Sequence, residues 1–118
     1  MAEPIEYWSL LRLSDDIRRG AVSSAEATAA MLARIASVDG ALRSYVTVVA
    51  DRAMDQARRA DAEIARGFSR GPLHGVPLAV KDLCFTTYAP TTAGMTIHKD
   101  RIPDHDATVV ARLEQAGA

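Results

Sequence analysis

The chain has 118 residues, 48% of them apolar and 25% charged, with a net charge of -1. That length suits one modest domain, and the balance of apolar and charged residues excludes bulk disorder. With 5% aromatic residues and no excess of Lys and Arg, the chain lacks both phosphate-binding charge and base-stacking rings, so no nucleic acid is expected as a partner.

The single Cys84 cannot form an intrachain disulfide and fits a reducing compartment. Met1 to Leu10 has neither a basic start nor a long apolar run, and no stretch approaches the roughly 20 apolar residues of a membrane helix. A cytoplasmic location without a membrane partner is expected.

Large side chains open the chain at Ile5, Tyr7, Trp8, Leu10, Leu11 and Leu13. Ser14, Asp15 and Asp16 predict a helix start, the acids lying near the positive end of the dipole, and Arg18, Arg19 and Gly20 close that helix. Ser23-Ser24-Ala25-Glu26 is a capping box for a second helix. Its Met31, Leu32, Ile35 and Val38 recur at helical spacing until Asp39-Gly40. These two helices are expected to form a hairpin with their apolar stripes in the core.

Tyr45 to Val49 is short and β-branched, which predicts a strand. Asp51 to Arg66 reads as a third helix, with Ala53, Ala57, Ala60 and Ile64 on one face, small enough for a neighbour to approach closely. Arg52, Arg58, Arg59, Arg66 and Arg70 could form an anion-binding stripe. Asp51, Asp55, Asp61 and Glu63 interleave with them, Asp55 and Arg59 stand at pair spacing, and such mixed charge reads as a solvated face.

Phe68 to Gly75 is loop, with His74 orienting it. Val76 to Val80 then forms a continuous apolar run that predicts a strand buried on both faces, with Pro77 near its start. Lys81 ends the run. It is one of two Lys against twelve Arg, and a lysine placed there is expected to lose water, which favours its neutral, basic form and makes it a candidate general base. Asp82 is expected to take backbone donors at the strand-to-loop junction. Thr86 to Met95 reads as an irregular connection, and Pro103-Asp104 as the start of a last helix carrying Ala107, Val109, Val110 and Leu113, with Gly117 as its cap. In an α/β domain that helix should deliver the chain to another strand.

Two further clusters have plainer readings. Cys84 has Lys81 three residues away but no His in fixed relation to it, so a small buried hydrophobe is expected rather than a nucleophile. His98, Asp100, Asp104, His105 and Asp106 lack any regular ligand spacing, and Pro103 interrupts them, so a solvated loop is expected and no metal.

Gly71-Pro-Leu-His-Gly-Val-Pro-Leu-Ala-Val-Lys-Asp82, followed by Pro90-Thr-Thr-Ala-Gly94, resembles the opening segment of the amidase signature family of hydrolases. The resemblance implies cleavage of carboxylic amides by a nucleophilic serine, a bridging serine in a cis peptide and a lysine, without a cofactor. Lys81 matches the family lysine, and Thr91, Thr92 and Gly94 match residues read as shaping the loop beside the active site. The implied fold class is α/β, a helical N-terminal segment leading into a central mixed sheet flanked by helices. Residues 1–67 would be the mainly helical part, and 68–118 the catalytic-lysine strand, its loop and the following helix.

The Gly- and Ser-rich segment that supplies both serines has no counterpart in these residues. The chain therefore reads as the N-terminal portion of a single amidase domain, inactive alone, acting on a small-molecule amide once joined to the rest. Related amidases are often dimers, which leaves a homodimer open. Leu83, Cys84, Phe85 and Tyr88 replace the more polar residues many members carry after the lysine, and Met95 stands where Ser is frequent. That implies a more apolar pocket and favours a general amidase over a glutamyl-tRNA amidotransferase. The rival expectations are a non-catalytic remnant or interaction module that keeps the fold segment, and a metal-binding module built on His98 and His105.

Overall fold

The computed structural model describes residues 2–118. Four α-helices run in order, α1 Leu10–Arg18, α2 Ser24–Leu42, α3 Ala50–Ala65 and α4 Thr108–Gln115, with single 3-10 turns at Ile5–Tyr7 and Thr96–His98. Helix α1 starts one turn earlier than Ser14 predicts, capped by Ser9, whose hydroxyl accepts the Arg12 N–H at 3.3 Å. The apolar rhythm decides this. Leu13 and Ile17, four apart, are both buried and need helix on each side of them. Ser14 lies inside the helix and donates its hydroxyl to the Pro72 carbonyl.

Helix α2 begins where the capping box places it. Ser23 Oγ accepts the Glu26 N–H at 3.0 Å, and Glu26 accepts the Ser23 N–H at 2.8 Å. Those donors hold the Glu26 carboxyl below its usual range, the Ser23 N–H contributing most. Asp61 of α3 adds a second cap, taking the Ser24 and Ala25 amides at 2.7 and 3.0 Å. The first three amides of α2 are thereby satisfied from two elements, and α3 is fixed against α2 by the same bonds. The helix runs two residues past Gly40 and ends in the left-handed Arg43, φ +51.

The expected hairpin partner changes. The main helix-to-helix contact is α2 on α3, while α1 reaches α2 through a shared core of Leu13, Ile17, Val22, Ala27 and Val76, with Ile5, Trp8, Met31 and Ile64 against it. Ala57 and Ala60 are buried as the close-approach face predicts. Leu32, Ile35 and Val38 are only half-buried, so the far half of the α2 stripe is not core.

The sheet expectation needs correcting. Among the described residues there is no strand, at Val76 to Val80 or at Tyr45 to Val49. A strand exists through its ladder, and neither extended segment has a neighbouring segment to bond along its length. The Gly75 N–H goes to the Gly117 carbonyl at 2.7 Å and the Val76 N–H turns back to Leu73 at 3.0 Å. Beyond that only Val76 is buried; Leu78 is 43% exposed and Val46 66%. The molecule measures 45 × 33 × 21 Å, a slab whose thin direction is about two layers of helix.

Helix α4 starts later than Pro103-Asp104 predicts. The Ala107 N–H is taken by the Phe85 carbonyl at 2.9 Å, and Asp106 accepts the Thr87 N–H at 2.7 Å. Residues 103–107 therefore serve the loop instead of a helical first turn. Gly117, at φ +92, follows the helix end as expected.

Candidate active site around Lys81

The turn that leads to Lys81 is fastened from beneath. His74 is buried, and its Nδ1 accepts the Arg70 N–H at 3.1 Å, so Nε2 carries the ring proton and donates it to Glu63 at 2.9 Å. Arg70 closes the triangle with two bonds to the same carboxylate, at 3.0 and 2.8 Å. Those Arg70 bonds hold the Glu63 carboxyl below its usual range, against the opposing effect of burial. His74 thus orients the loop, as expected. Glu63, Asp61 and Arg70, read from sequence as solvated exterior, prove to be anchors. The helical spacing carried the signal, because Asp61 is four residues from Ala57 and Glu63 three from Ala60, both on the buried face.

Gly75 follows at φ +80, with the place of its missing Cβ only 3.0 Å from Ser24 Cβ and 3.2 Å from Ile17 Cγ2. Ser24 Oγ donates to the Gly75 carbonyl at 2.5 Å. Only glycine fits so closely in that conformation.

Lys81 is exposed, which overturns the expectation of a desolvated strand-end lysine. With no sheet around the segment, nothing withdraws the side chain from water. No ion pair or side-chain hydrogen bond involves it among the described residues. Its carbonyl accepts the Cys84 N–H at 2.9 Å, closing a turn over Lys81 to Cys84.

Asp82 takes backbone donors as expected, and they come from the Pro-Thr-Thr-Ala-Gly element. Its carboxylate accepts the Thr92 N–H at 2.7 Å and the Thr92 hydroxyl, while its carbonyl accepts the Ala93 N–H at 2.9 Å. The Thr92 hydroxyl, and next the Thr92 N–H, hold the Asp82 carboxyl below its usual range. Thr92 Oγ1 also accepts the Gly94 N–H at 3.1 Å. The Met95 N–H returns to the Thr92 carbonyl at 2.9 Å, and the two central residues are left-handed, Ala93 at φ +50 and Gly94 at φ +71. This is a type I′ turn, and a left-handed alanine costs about 1–2 kcal/mol. Thr91, also buried, is tied to Arg101, whose carbonyl accepts its N–H at 2.9 Å and whose guanidinium donates to its carbonyl at 3.1 and 3.2 Å. The fold therefore brings Asp82, Thr92 and Gly94 together next to Lys81, with Thr91 directly behind.

Val76, Leu78 and Val80 line a groove of about 120 Å³ with α2, α3 and α4, which Lys81 does not line. Of the substituted residues, Tyr88 enters this groove; Leu83 is 62% exposed and Met95 47%. Tyr88 lies under the Arg52 guanidinium, 3.9 Å from its ring, and Arg52 pairs with Glu114 of α4 at 3.0 Å. Burial, with Glu114 next, pushes the Tyr88 hydroxyl up. Asp55 pairs with Arg58 at 3.1 Å, not with Arg59.

Cys84 is half-exposed, not buried. Among the described residues no three His, Cys, Asp or Glu side chains converge as a metal site; Asp104 pairs with His105 at 2.7 Å and Asp106 serves Thr87. No helix among these residues is long and apolar enough to cross a membrane.

The family model described as Amidase matches residues 26–118. A Mycobacterium tuberculosis protein named as an amidase, AmiD, is 51% identical over 98% of this chain and 24% of its own length. A glutamyl-tRNA(Gln) amidotransferase component from Moorella thermoacetica is 46% identical over 95% of the chain and 23% of its own length. The native peptide amidase of Stenotrophomonas maltophilia superposes with a TM-score of 0.90 at 36% identity, over 98% of this chain and 24% of that one. The chain thus spans about a quarter of the length of these relatives. It belongs to the amidase family.

Proposed function

We propose that this chain is the N-terminal part of an amidase that hydrolyses carboxylic amide C–N bonds by a Ser–cisSer–Lys mechanism, and that it supplies the lysine. The observation that supports this most is that Lys81, reachable from solvent, stands beside the clamped Thr-Thr-Ala-Gly turn inside the segment matched to the family. A serine hydroxyl is a weak nucleophile until a base takes its proton. Lys81 would take it through the bridging serine, the nucleophile would attack the amide carbonyl, and the nitrogen would leave with that proton. Water then cleaves the acyl-serine ester.

The exposure of Lys81 is compatible with this role if the remaining domain closes over it and removes the water that these residues leave. The same remainder would provide strands beside Val76 to Val80, the central mixed sheet of an α/β domain, and both serines. A small-molecule amide is the substrate class, no cofactor is required, and the location is cytoplasmic. Thr91, Thr92 and Gly94 shape the loop at the site.

A second reading, one component of an amidotransferase, draws on the 46% identity to that Moorella protein. Its test is whether amide hydrolysis requires partner chains. The primary test compares ammonia release from peptide and alkyl amides by the 118-residue chain and by the full-length protein. Release by the full-length protein alone is expected. Serine-dependent turnover by the 118 residues would contradict it, and absence of turnover in both would favour the non-catalytic remnant.

A further inference from the structure

We propose that Asp82 is a positioning residue for Lys81, holding the lysine's main chain against the Thr92 to Met95 turn. The inference rests on the reading of Lys81 as the general base. Asp82 joins two reverse turns: the one that Lys81 opens, and the left-handed one that carries Ala93 and Gly94. One residue supplies acceptors to the Thr92 amide, the Thr92 hydroxyl and the Ala93 amide. Thr92 is 7% exposed, so the far side of this clamp is set in packed structure.

The clamp acts on the downstream side of Lys81, beyond any ladder that the rest of the domain would give Val76 to Val80. Residues 77–80 have no ladder among the described residues to hold them in register. Lys81 has a flexible four-carbon stem and no partner of its own there. Its place is therefore set through the main chain, by Gly75-Val76 and any ladder on the upstream side and by Asp82 on the downstream side. A general base must lie within about 2.6–3.2 Å of the proton it removes, and a misplacement of about 1 Å costs about 10²-fold in rate. The clamp also engages the Asp82 carboxylate with Thr92 donors, and Asp82 makes no ion pair with the adjacent ammonium. The base is left free for its reaction partner.

The test uses the full-length protein with Asp82→Ala, Thr92→Val, the double variant and Thr92→Ser, and Lys81→Ala as reference. Amide hydrolysis is resolved into kcat and KM, with melting temperatures alongside. Asp82→Ala should lower kcat about 10²-fold with little change in KM, and Thr92→Val, which keeps the backbone N–H that Asp82 accepts, should lower it less. The double variant should fall no further than Asp82→Ala, since the Asp82 carboxylate is the shared acceptor of both Thr92 donors. Thr92→Ser keeps the hydroxyl and should retain near-normal kcat. Where Asp82→Ala fails to fold, Asp82→Asn carries the test: its amide can accept from the Thr92 N–H and donate to Thr92 Oγ1, so kcat should stay close to normal. A kcat loss in Asp82→Asn equal to that of Lys81→Ala would overturn a geometric role. Normal kcat in Asp82→Ala while Lys81→Ala is inactive would overturn the positioning inference alone. Normal kcat in Lys81→Ala would remove the general-base reading beneath it.

Discussion

Replacing Gly75 with alanine tests whether the approach to Lys81 is set by close packing or merely tolerates it. The residue is left-handed at φ +80, and its new Cβ would stand 3.0 Å from Ser24 Cβ, 3.1 Å from Ser24 Oγ and 3.2 Å from Ile17 Cγ2. None of these atoms ends a long flexible side chain, and both residues are 1% exposed. The left-handed conformation costs about 1–2 kcal/mol for a residue with a Cβ, and overpacking a core costs about 1–3 kcal/mol, giving about 2–5 kcal/mol in all. Against a typical total of about 5–15 kcal/mol, that removes much of the stability. Urea denaturation followed by far-ultraviolet circular dichroism measures the change, with Gly40→Ala as its control. Gly40 lies inside α2 with nothing within 4 Å of its Cβ position, so alanine there should stabilise by about 0.5–1 kcal/mol. A Gly75→Ala loss below about 1 kcal/mol would refute the packing argument, since that is less than the conformational cost alone.

Ser23→Ala removes one arm of the capping box and should cost about 1 kcal/mol in the same assay. Glu63→Gln should weaken the hold on His74, seen as faster hydrogen exchange at the Arg70 amide; unchanged protection would place the anchor elsewhere. Acid should destabilise the fold through Asp82, Glu63 and Glu26, all held below their usual carboxyl range. A depressed folded pKa means the contribution is fully present above the unfolded values of about 3.9–4.3 and is lost as pH falls through the lower folded values. Asp82→Asn should flatten the fall in stability below about pH 4, and an unchanged acid limb would remove Asp82 from the linkage.

Local chemistry was the legible part of the sequence. The Ser23 capping box, the Ala57 and Ala60 face, the stop at Gly117 and the backbone acceptor role of Asp82 each depend on a few neighbouring residues, and the structure has them. What failed depends on partners far along the chain. Val76 to Val80 has a strand's composition, but a strand needs a second segment to bond to, and the described residues offer none. The same deficit left Lys81 exposed. The start of α4 moved because Phe85 and Thr87, some twenty residues earlier, compete for the groups that would open it. Asp61 and Glu63 were misplaced by composition, since mixed charge suggested solvent while their spacing from the buried alanines put them half-buried at the edge of the packed face. Lys81 was singled out by its place at the end of the apolar run and then by resemblance, the Thr-Thr-Ala-Gly turn by resemblance, and their connection through Asp82 is visible only in three dimensions.

The central claim is that Lys81 is the base of an amide hydrolase. The most direct measurement is amide hydrolysis by the full-length protein carrying Lys81→Ala, with its melting temperature taken in parallel. Lys81 is exposed and makes no side-chain bond among the described residues, so the fold should be unaffected while kcat/KM falls by about 10²–10⁴-fold. A near-normal rate from a normally folded variant would contradict the account and leave this segment a scaffold rather than a part of the chemistry.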